Sequence, residues 1–141
     1  MFEKDILKNK VVLITGGGTG LGKSMAMRFA ELGASLVIAS RRKEVISEAA
    51  SQMKEIGAEV LGLQCDVRDT DQVNSMVSDT LNRFDKIDIL INNAAGNFIS
   101  PTEMLSPGGF KAVVDIVLMG TFNCTLAVGK EMIKQKNGNI L

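Results

Sequence analysis

A doubly wound α/β fold, with a parallel sheet covered by helices on both faces, is predicted by three features of this 141-residue chain. Short β-branched runs alternate with longer amphipathic stretches, which is how successive βαβ units read in sequence. Glycines follow the first two long stretches, where a left-handed helix cap is easiest for glycine. A glycine-rich turn joins the first apolar run, Val11-Val12-Leu13-Ile14, to the first helix-like stretch. The chain is 45% hydrophobic and 23% charged, within the size and composition of one globular domain able to bury a core.

Strands are expected at Val11–Thr15, Ser35–Ala39, Glu59–Gln64 and Ile87–Asn92. The first, second and fourth are apolar on both faces, as interior parallel strands are. Helices are expected at Gly20–Leu32, Lys43–Ile56 and Thr70–Phe84, with Gly33 and Gly57 closing the first two. Asp69, with Gln72 three residues on, makes a capping box for the third. A long helix should run from Pro107 toward Gln135, with Ser106 as N-cap and Pro107 as its first residue. Phe110, Val113, Val114, Val117, Leu118 and Thr121 trace an apolar stripe along it. Gly138-Asn139-Ile140-Leu141 reads as the start of a further strand, so the expected strand order is 3-2-1-4 followed by that one, a sheet truncated after the long helix.

Sixteen Lys plus Arg balance sixteen Asp plus Glu, so no net field recruits nucleic acid or an anionic membrane. No apolar run is read as approaching the roughly 20 residues of a membrane span, and Met1-Phe2-Glu3-Lys4-Asp5 lacks the apolar core of a signal peptide. Cys65 and Cys124 suit buried thiols in a reducing compartment better than a disulfide. The expectation is an intracellular soluble protein. There is no His, and no metal site is read from the chain.

The chemistry starts at Thr15-Gly16-Gly17-Gly18-Thr19-Gly20-Leu21-Gly22. Gly16 permits a tight turn out of the strand, Gly20 lets backbone amides approach a pyrophosphate, and Gly22 lets helix and strand pack closely. The helix N-terminus behind them adds oriented N–H groups. Together they make a Rossmann-type dinucleotide cradle, although the spacing is G-x-x-x-G-x-G and not G-x-G-x-x-G.

About twenty residues on, where an acid would bind the adenosine 2′-hydroxyl, stand Ser40 and Arg41. A guanidinium pairs with a 2′-phosphate and a small hydroxyl makes room, so NADP(H) is favoured over NAD(H). The plainer alternative is that Arg41, Arg42 and Lys43 form a solvated helix start. Asp66, after the third strand, is placed to accept a hydrogen bond from the adenine amino group, or is a turn aspartate. Arg68 is either solvent-facing or a second phosphate contact. Asn92 to Phe98 ends the fourth strand at the expected switch point of the sheet, and one of Asn92 and Asn93 is read as satisfying backbone groups between strands.

Thr15 to Gly22, Asp66-Val67 and Asn92 to Gly96, in this order and spacing, resemble the short-chain dehydrogenase/reductases. Asn93 to Glu103, Leu105-Ser106-Pro107 and Asp115 to Leu118 are similar to the 2,4-dienoyl-CoA reductase branch. That resemblance implies NADPH-dependent reduction of a 2,4-dienoyl-CoA to a 3-enoyl-CoA in unsaturated fatty acid β-oxidation. The hydride goes to Cδ of the dienoyl thioester, and the resulting dienolate must be stabilised and protonated. Gly16, Gly17, Gly18, Thr19, Gly20, Leu21, Arg41 and Asp66 match cofactor contacts. Arg41, Arg68, Phe98 and Ser106 match acyl-CoA contacts, although a plain N-cap also explains Ser106 and simple packing also explains Phe98. Asn97 matches the asparagine that orients the catalytic tyrosine and hydrogen-bonds the thioester oxygen, a donor suited to a developing oxyanion.

Two positions depart from the pattern. Val117 stands where family members place an asparagine, and Met119 where the dienoyl-CoA branch usually does. The family's catalytic tyrosine, serine and lysine match nothing within residues 1–141, which are read as a single NADP-binding domain with the C-terminal part of the catalytic domain absent. The resemblance further implies a homo-oligomer formed through the long helix, and a mitochondrial matrix or bacterial cytoplasmic location. A 3-oxoacyl or other short-chain reductase, or a non-catalytic nucleotide-binding subunit, are the alternative readings.

Overall fold

Among the described residues, five parallel strands form one sheet, in which the third, second, first, fourth and fifth strands of the chain lie side by side. The structure, a computed structural model, describes residue 3 and residues 5–141; Met1, Phe2 and Lys4, part of the segment read for signal-peptide character, lie outside the described residues. The elements run β1 (Val11–Thr15), α1 (Gly20–Glu31), β2 (Ser35–Ser40), α2 (Lys43–Glu55), β3 (Val60–Gln64), α3 (Thr70–Phe84), β4 (Ile89–Ile91), α4 (Pro107–Val114), α5 (Gly120–Gln135) and β5 (Asn139–Ile140). This is the predicted doubly wound order, with the strand start after the long helix as the fifth strand.

Strand β1 lies at the centre, paired with β2 from Val11↔Ser35 to Thr15↔Ala39 and with β4 from Val12↔Ile89 to Ile14↔Ile91. All five of its side chains are buried because both faces are covered. Val12, Ile14, Leu36 and Ile38 point to the face carrying α1 and α2, where they meet Ala26, Ile46, Ala49 and Met53. Val11, Leu13 and Val37 point to the other face and pack with Val73, Met76 and Val77 of α3 and Cys124, Val128 and Met132 of α5.

Strand β4 is shorter than the predicted Ile87–Asn92. The side chain of Gln135 takes both backbone groups of Ile87: its Oε1 accepts from Ile87 N at 3.1 Å and its Nε2 donates to Ile87 O at 3.0 Å. A glutamine thus substitutes for a neighbouring strand at that point. Next to it, the carboxylate of Asp88 is almost fully buried. It accepts from Val11 N at 2.8 Å and from Asn137 Nδ2 at 3.3 Å, and pairs with Lys86 at 3.0 Å and Lys10 at 3.8 Å. The starts of β1, β4 and β5 are therefore tied to one anion, a role that the strand reading of this segment did not contain.

The predicted long helix is present, but a π-helical turn, Asp115–Met119, separates α4 from α5. Ile116, Gly120, Cys124, Val128 and Met132 recur every four residues, a spacing that drifts around a helix of 3.6 residues per turn. The wider turn offsets part of that drift. Gly120 sits so close to Val67 that a Cβ would lie 2.5 Å from its methyl carbon. The predicted stripe faces outward instead, with Phe110, Val117 and Leu118 exposed along with Phe122, Leu126 and Ile133. By length and composition, the helix from Pro107 to Gln135 is also long and apolar enough to cross a bilayer, which corrects the sequence reading of no such run. Its packing of Cys124, Val128 and Met132 into the sheet core is that of a core helix.

Replacing Asp88 by Ala strands the Val11 N–H and removes the partner of two lysines. A loss of roughly 3 kcal/mol in folding stability is expected from a denaturant titration.

Candidate active site

The strand order reverses at β1, and a cleft of about 290 Å³ opens there along the carboxyl ends of the strands. Gly16, Gly18 and Thr19 form its floor, Ser40, Arg41 and Arg42 one wall, Asp66 and Val67 another, and Ala94, Ala95 and Ile116 the far side. Every strand from β1 to β4 thus contributes the residues at its C-terminal end.

The floor is shaped by a hydrogen-bonded lock between the ends of β1 and β4. Thr15 is buried, and its Oγ1 accepts from Asn93 N and Ala94 N, both at 3.0 Å, while donating to Ile91 O at 3.4 Å. The Asn93 carboxamide donates to Thr15 O at 3.0 Å and Gly16 O at 3.3 Å. Asn93 is therefore the asparagine that satisfies backbone groups, whereas Asn92 donates to Thr125 Oγ1 at 3.2 Å. Gly16 adopts φ +69°, and a Cβ on it would lie 2.8 Å from Asn93 Nδ2. A Cβ on Gly22 would overlap both that nitrogen and Gly16 O. The predicted roles of Gly16 in the turn and Gly22 in close packing are both seen.

The other glycines divide. Gly20 adopts φ +53° with open space where a Cβ would go, at the start of α1. Gly17 is buried, with Ile38 2.8 Å from where its Cβ would lie, so it does not line the cleft. Leu21 is exposed on the first turn. Thr19 caps α1 without a side-chain hydrogen bond and no acid stands in that first turn, which leaves the helix N-terminus suited to an anion.

On the β2 side, Ser40 Oγ accepts from Arg42 N at 3.2 Å, and Gln64 Nε2 donates to the Arg41 carbonyl at 3.0 Å. Among the described residues the Arg41 side chain makes no ion pair. On the β3 side, Arg68 folds back on Asp66: its Nε lies 2.9 Å from Oδ1 and 3.1 Å from Oδ2, its Nη2 2.5 Å from Oδ2, and its backbone N 3.1 Å from Oδ1. Those hydrogen bonds hold the Asp66 carboxyl below its ordinary range, against the opposing effect of burial. The predicted capping box is also present in altered form. Asp69 accepts from Asp71 N and Gln72 N, while the Gln72 oxygen reaches back to Asp66 N at 3.0 Å.

The remaining sequence-predicted residues lie outside the cleft lining. Asn97 and Phe98 are exposed on the loop after β4, and the Phe98 ring lies against Gly109 of α4. Ser106 accepts from Gly109 N at 3.0 Å as the N-cap of α4. Val117 and Met119, the two departures from the family pattern, are exposed in the π turn, and Ile116 faces the cleft in their stead. Sequence reasoning missed the side chains of Thr15 and Ile116. A threonine closing a buried strand just before a glycine turn was the available signal for Thr15.

A family profile described as short chain dehydrogenase matches residues 10–141. The chain is 42% identical over 137 residues to an Arabidopsis thaliana protein named peroxisomal 2,4-dienoyl-CoA reductase, (3E)-enoyl-CoA-producing, covering 97% of this chain and 46% of the relative. It is 41% identical to a Bacillus subtilis protein named probable 2,4-dienoyl-CoA reductase, (2E)-enoyl-CoA-producing, covering 96% and 53%. The solved structure of an NAD+-bound xylitol dehydrogenase superposes with a TM-score of 0.93 at 32% identity, covering 96% and 52%. The chain thus spans about half the length of the curated relatives it matches.

Two outcomes check this geometry. Thr15→Val removes the acceptor of two backbone N–H groups at nearly constant volume and is expected to cost about 2 kcal/mol in chemical denaturation, with Thr15→Ser restoring most of it. Burial, then the charges of Asp66 and Asp69, push the Cys65 thiol up to about 11, and burial, then Cys65, pushes Cys124 up to about 12. Both stay protonated at pH 8, so a thiol reagent should label neither in the native protein and both after unfolding.

Proposed function

The chain belongs to the short-chain dehydrogenase family, and on that premise we propose that it forms the nucleotide-binding part of an NADPH-dependent 2,4-dienoyl-CoA reductase acting in unsaturated fatty acid oxidation. The observation that carries the cofactor reading is that an α1 N-terminus without a side-chain cap and Arg41, just after β2, border the same cleft through Gly18, Thr19 and Arg41. The substrate reading is supported by the names of the relatives, of which the plant protein's specifies a 3-enoyl product, the one proposed here.

The residues present fit a dinucleotide. Gly16, Gly18, Thr19, Gly20 and Leu21 present backbone to the pyrophosphate, and Gly17, buried beneath them, contributes by keeping the turn close to β2. Arg41 pairs with the 2′-phosphate beside the small Ser40. Asp66 accepts from the adenine amino group. When bound, the cofactor supplies the hydride. Asn97 then donates a hydrogen bond to the thioester oxygen, where negative charge develops. Phe98, Ser106 and Arg41 border the acyl-CoA, and the resemblance adds Arg68, whose guanidinium is engaged by Asp66. The chain contains no Tyr, so proton donation is not assigned to any of its residues.

A second copy covers the outward apolar face of the long helix, where Phe110, Leu118, Phe122 and Leu126 are exposed. For the setting, the plant relative's name supports a peroxisomal location, and neither of the two cited names supports the mitochondrial matrix.

Incubated with NADPH and 2,4-hexadienoyl-CoA, the full-length protein that carries this chain should consume cofactor; consumption with a 3-oxoacyl thioester alone would overturn the substrate. NADPH should bind more tightly than NADH, and Arg41→Ala should reduce that preference by about 10-fold or more. Equal affinity for the two cofactors in the unmodified protein would refute the assignment.

A further inference from the structure

We propose that Arg68 is a positioning residue of the nucleotide site, which holds the Asp66 carboxylate so that one of its lone pairs stays aimed at the purine. The proposal rests on the reading of Asp66 as the adenine acceptor. It departs from what the resemblance implies for Arg68, a contact to the acyl-CoA.

An ionised carboxylate offers about four lone-pair positions. Arg68 spends three donors on it: its backbone N–H and its Nε on Oδ1 and its Nη2 on Oδ2, with the single Nε hydrogen shared toward Oδ2 at 3.1 Å. The Asp66 side chain remains 21% exposed and lines the cleft, so Oδ2, whose one unshared donor is Nη2, can accept from a donor arriving there. An adenine presents one such donor in its exocyclic amino group.

Arg68 has in turn committed its Nε–Nη2 edge, one of the two edges by which a guanidinium grips carboxylates and phosphates bidentately. A coenzyme A phosphate would find that edge occupied. Arg41, across the cleft, makes no ion pair among the described residues and keeps its fork for an anion. Two arginines of equal charge are thus divided by their neighbours, one to bind phosphate and one to aim an acid.

The loop that carries the pair is braced by further hydrogen bonds. Asp66 N donates to Gln72 Oε1 at 3.0 Å, and Gln72 Nε2 donates to Asp69 Oδ2 at 2.8 Å. Asn123 Nδ2 of α5 donates to Val67 O at 2.9 Å. These bonds hold the loop from three sides, and an acceptor held in place is the condition under which one hydrogen bond contributes most to affinity. An ion pair this exposed adds little to folding stability, so the effect of Arg68 should be read in ligand selectivity.

The test compares NADPH with its hypoxanthine analogue, in which a carbonyl oxygen replaces the amino donor facing Asp66. Binding is followed by nicotinamide fluorescence in the full chain. The unmodified protein should prefer the adenine form by about 10-fold, the worth of one hydrogen bond to a charged acceptor. Arg68→Gln should bring the ratio close to one and Arg68→Lys to an intermediate value. The preference for NADPH over NADH, set by Arg41, should stay unchanged, and the melting temperature should move by no more than about 4 °C.

No adenine preference in the unmodified protein would overturn the Asp66 reading and this proposal with it. A preference retained in full by Arg68→Gln would overturn the positioning role and leave Asp66 as the acceptor. So would a loss of acyl-CoA affinity without a change in the adenine ratio. If Arg68→Gln does not fold, the ratio in Arg68→Lys decides on the same terms.

Discussion

The close approach of the β1 turn to the end of β4 is the constraint on which the cleft depends. Thr15 and Asn93 exchange side-chain and backbone hydrogen bonds across it, which pair the N–H groups of Asn93 and Ala94 and the carbonyls of Thr15 and Gly16. That exchange is possible only where side chains are missing. A Cβ on Gly16 or Gly22 would occupy the space of the Asn93 carboxamide. Because the lock fixes the turn relative to the sheet, it also fixes where α1 begins and where its N–H groups point.

Charge is distributed around this fixed turn by local wiring. The cleft has a cationic wall at Arg41 and Arg42 and an anionic one at Asp66, whose carboxyl Arg68 holds below its ordinary range. A net charge of zero conceals this arrangement. A ligand that suits it carries an anion at one place and a hydrogen-bond donor at another, as an adenosine 2′-phosphate does. The loop of Asp66 is connected through Gln72 to the cap of α3 and through Asn123 to α5, so both helices on that face of the sheet support the acid.

The long helix has two faces with different roles. Gly120, Cys124, Val128 and Met132 seat it on the sheet, and the π turn before them brings Ile116 over Gly96 at the rim of the cleft. The opposite face is apolar and exposed from Phe110 to Ile133. A sequence stripe indicates that such a helix has an apolar side. Which of two apolar sides meets the sheet is set by the small residues Gly120 and Cys124, because they allow the helix axis to come close.

Much of the architecture was legible in local sequence. Alternating apolar runs, Gly33 and Gly57 after helices, Asp69 with Gln72, and Ser106 before Pro107 each encode their element within a few residues, and each appears where the chain predicts it. The glycine turn, Arg41 and Asp66 were likewise legible as a candidate nucleotide site, since their spacing follows from strand and helix lengths. What local sequence could not decide were pairings between distant residues: Thr15 with Asn93, Asp88 with Val11 and the lysines, and Gln135 with Ile87. Arg68 is close to Asp66 in sequence, yet its guanidinium could equally have faced solvent until the β3–α3 loop curled it back. The sequence by itself therefore determined the order of elements and the chemistry available at the strand ends. Only the tertiary structure decided which polar groups are engaged and which stay free, because hydrogen bonds saturate, and their partners are chosen by proximity in three dimensions.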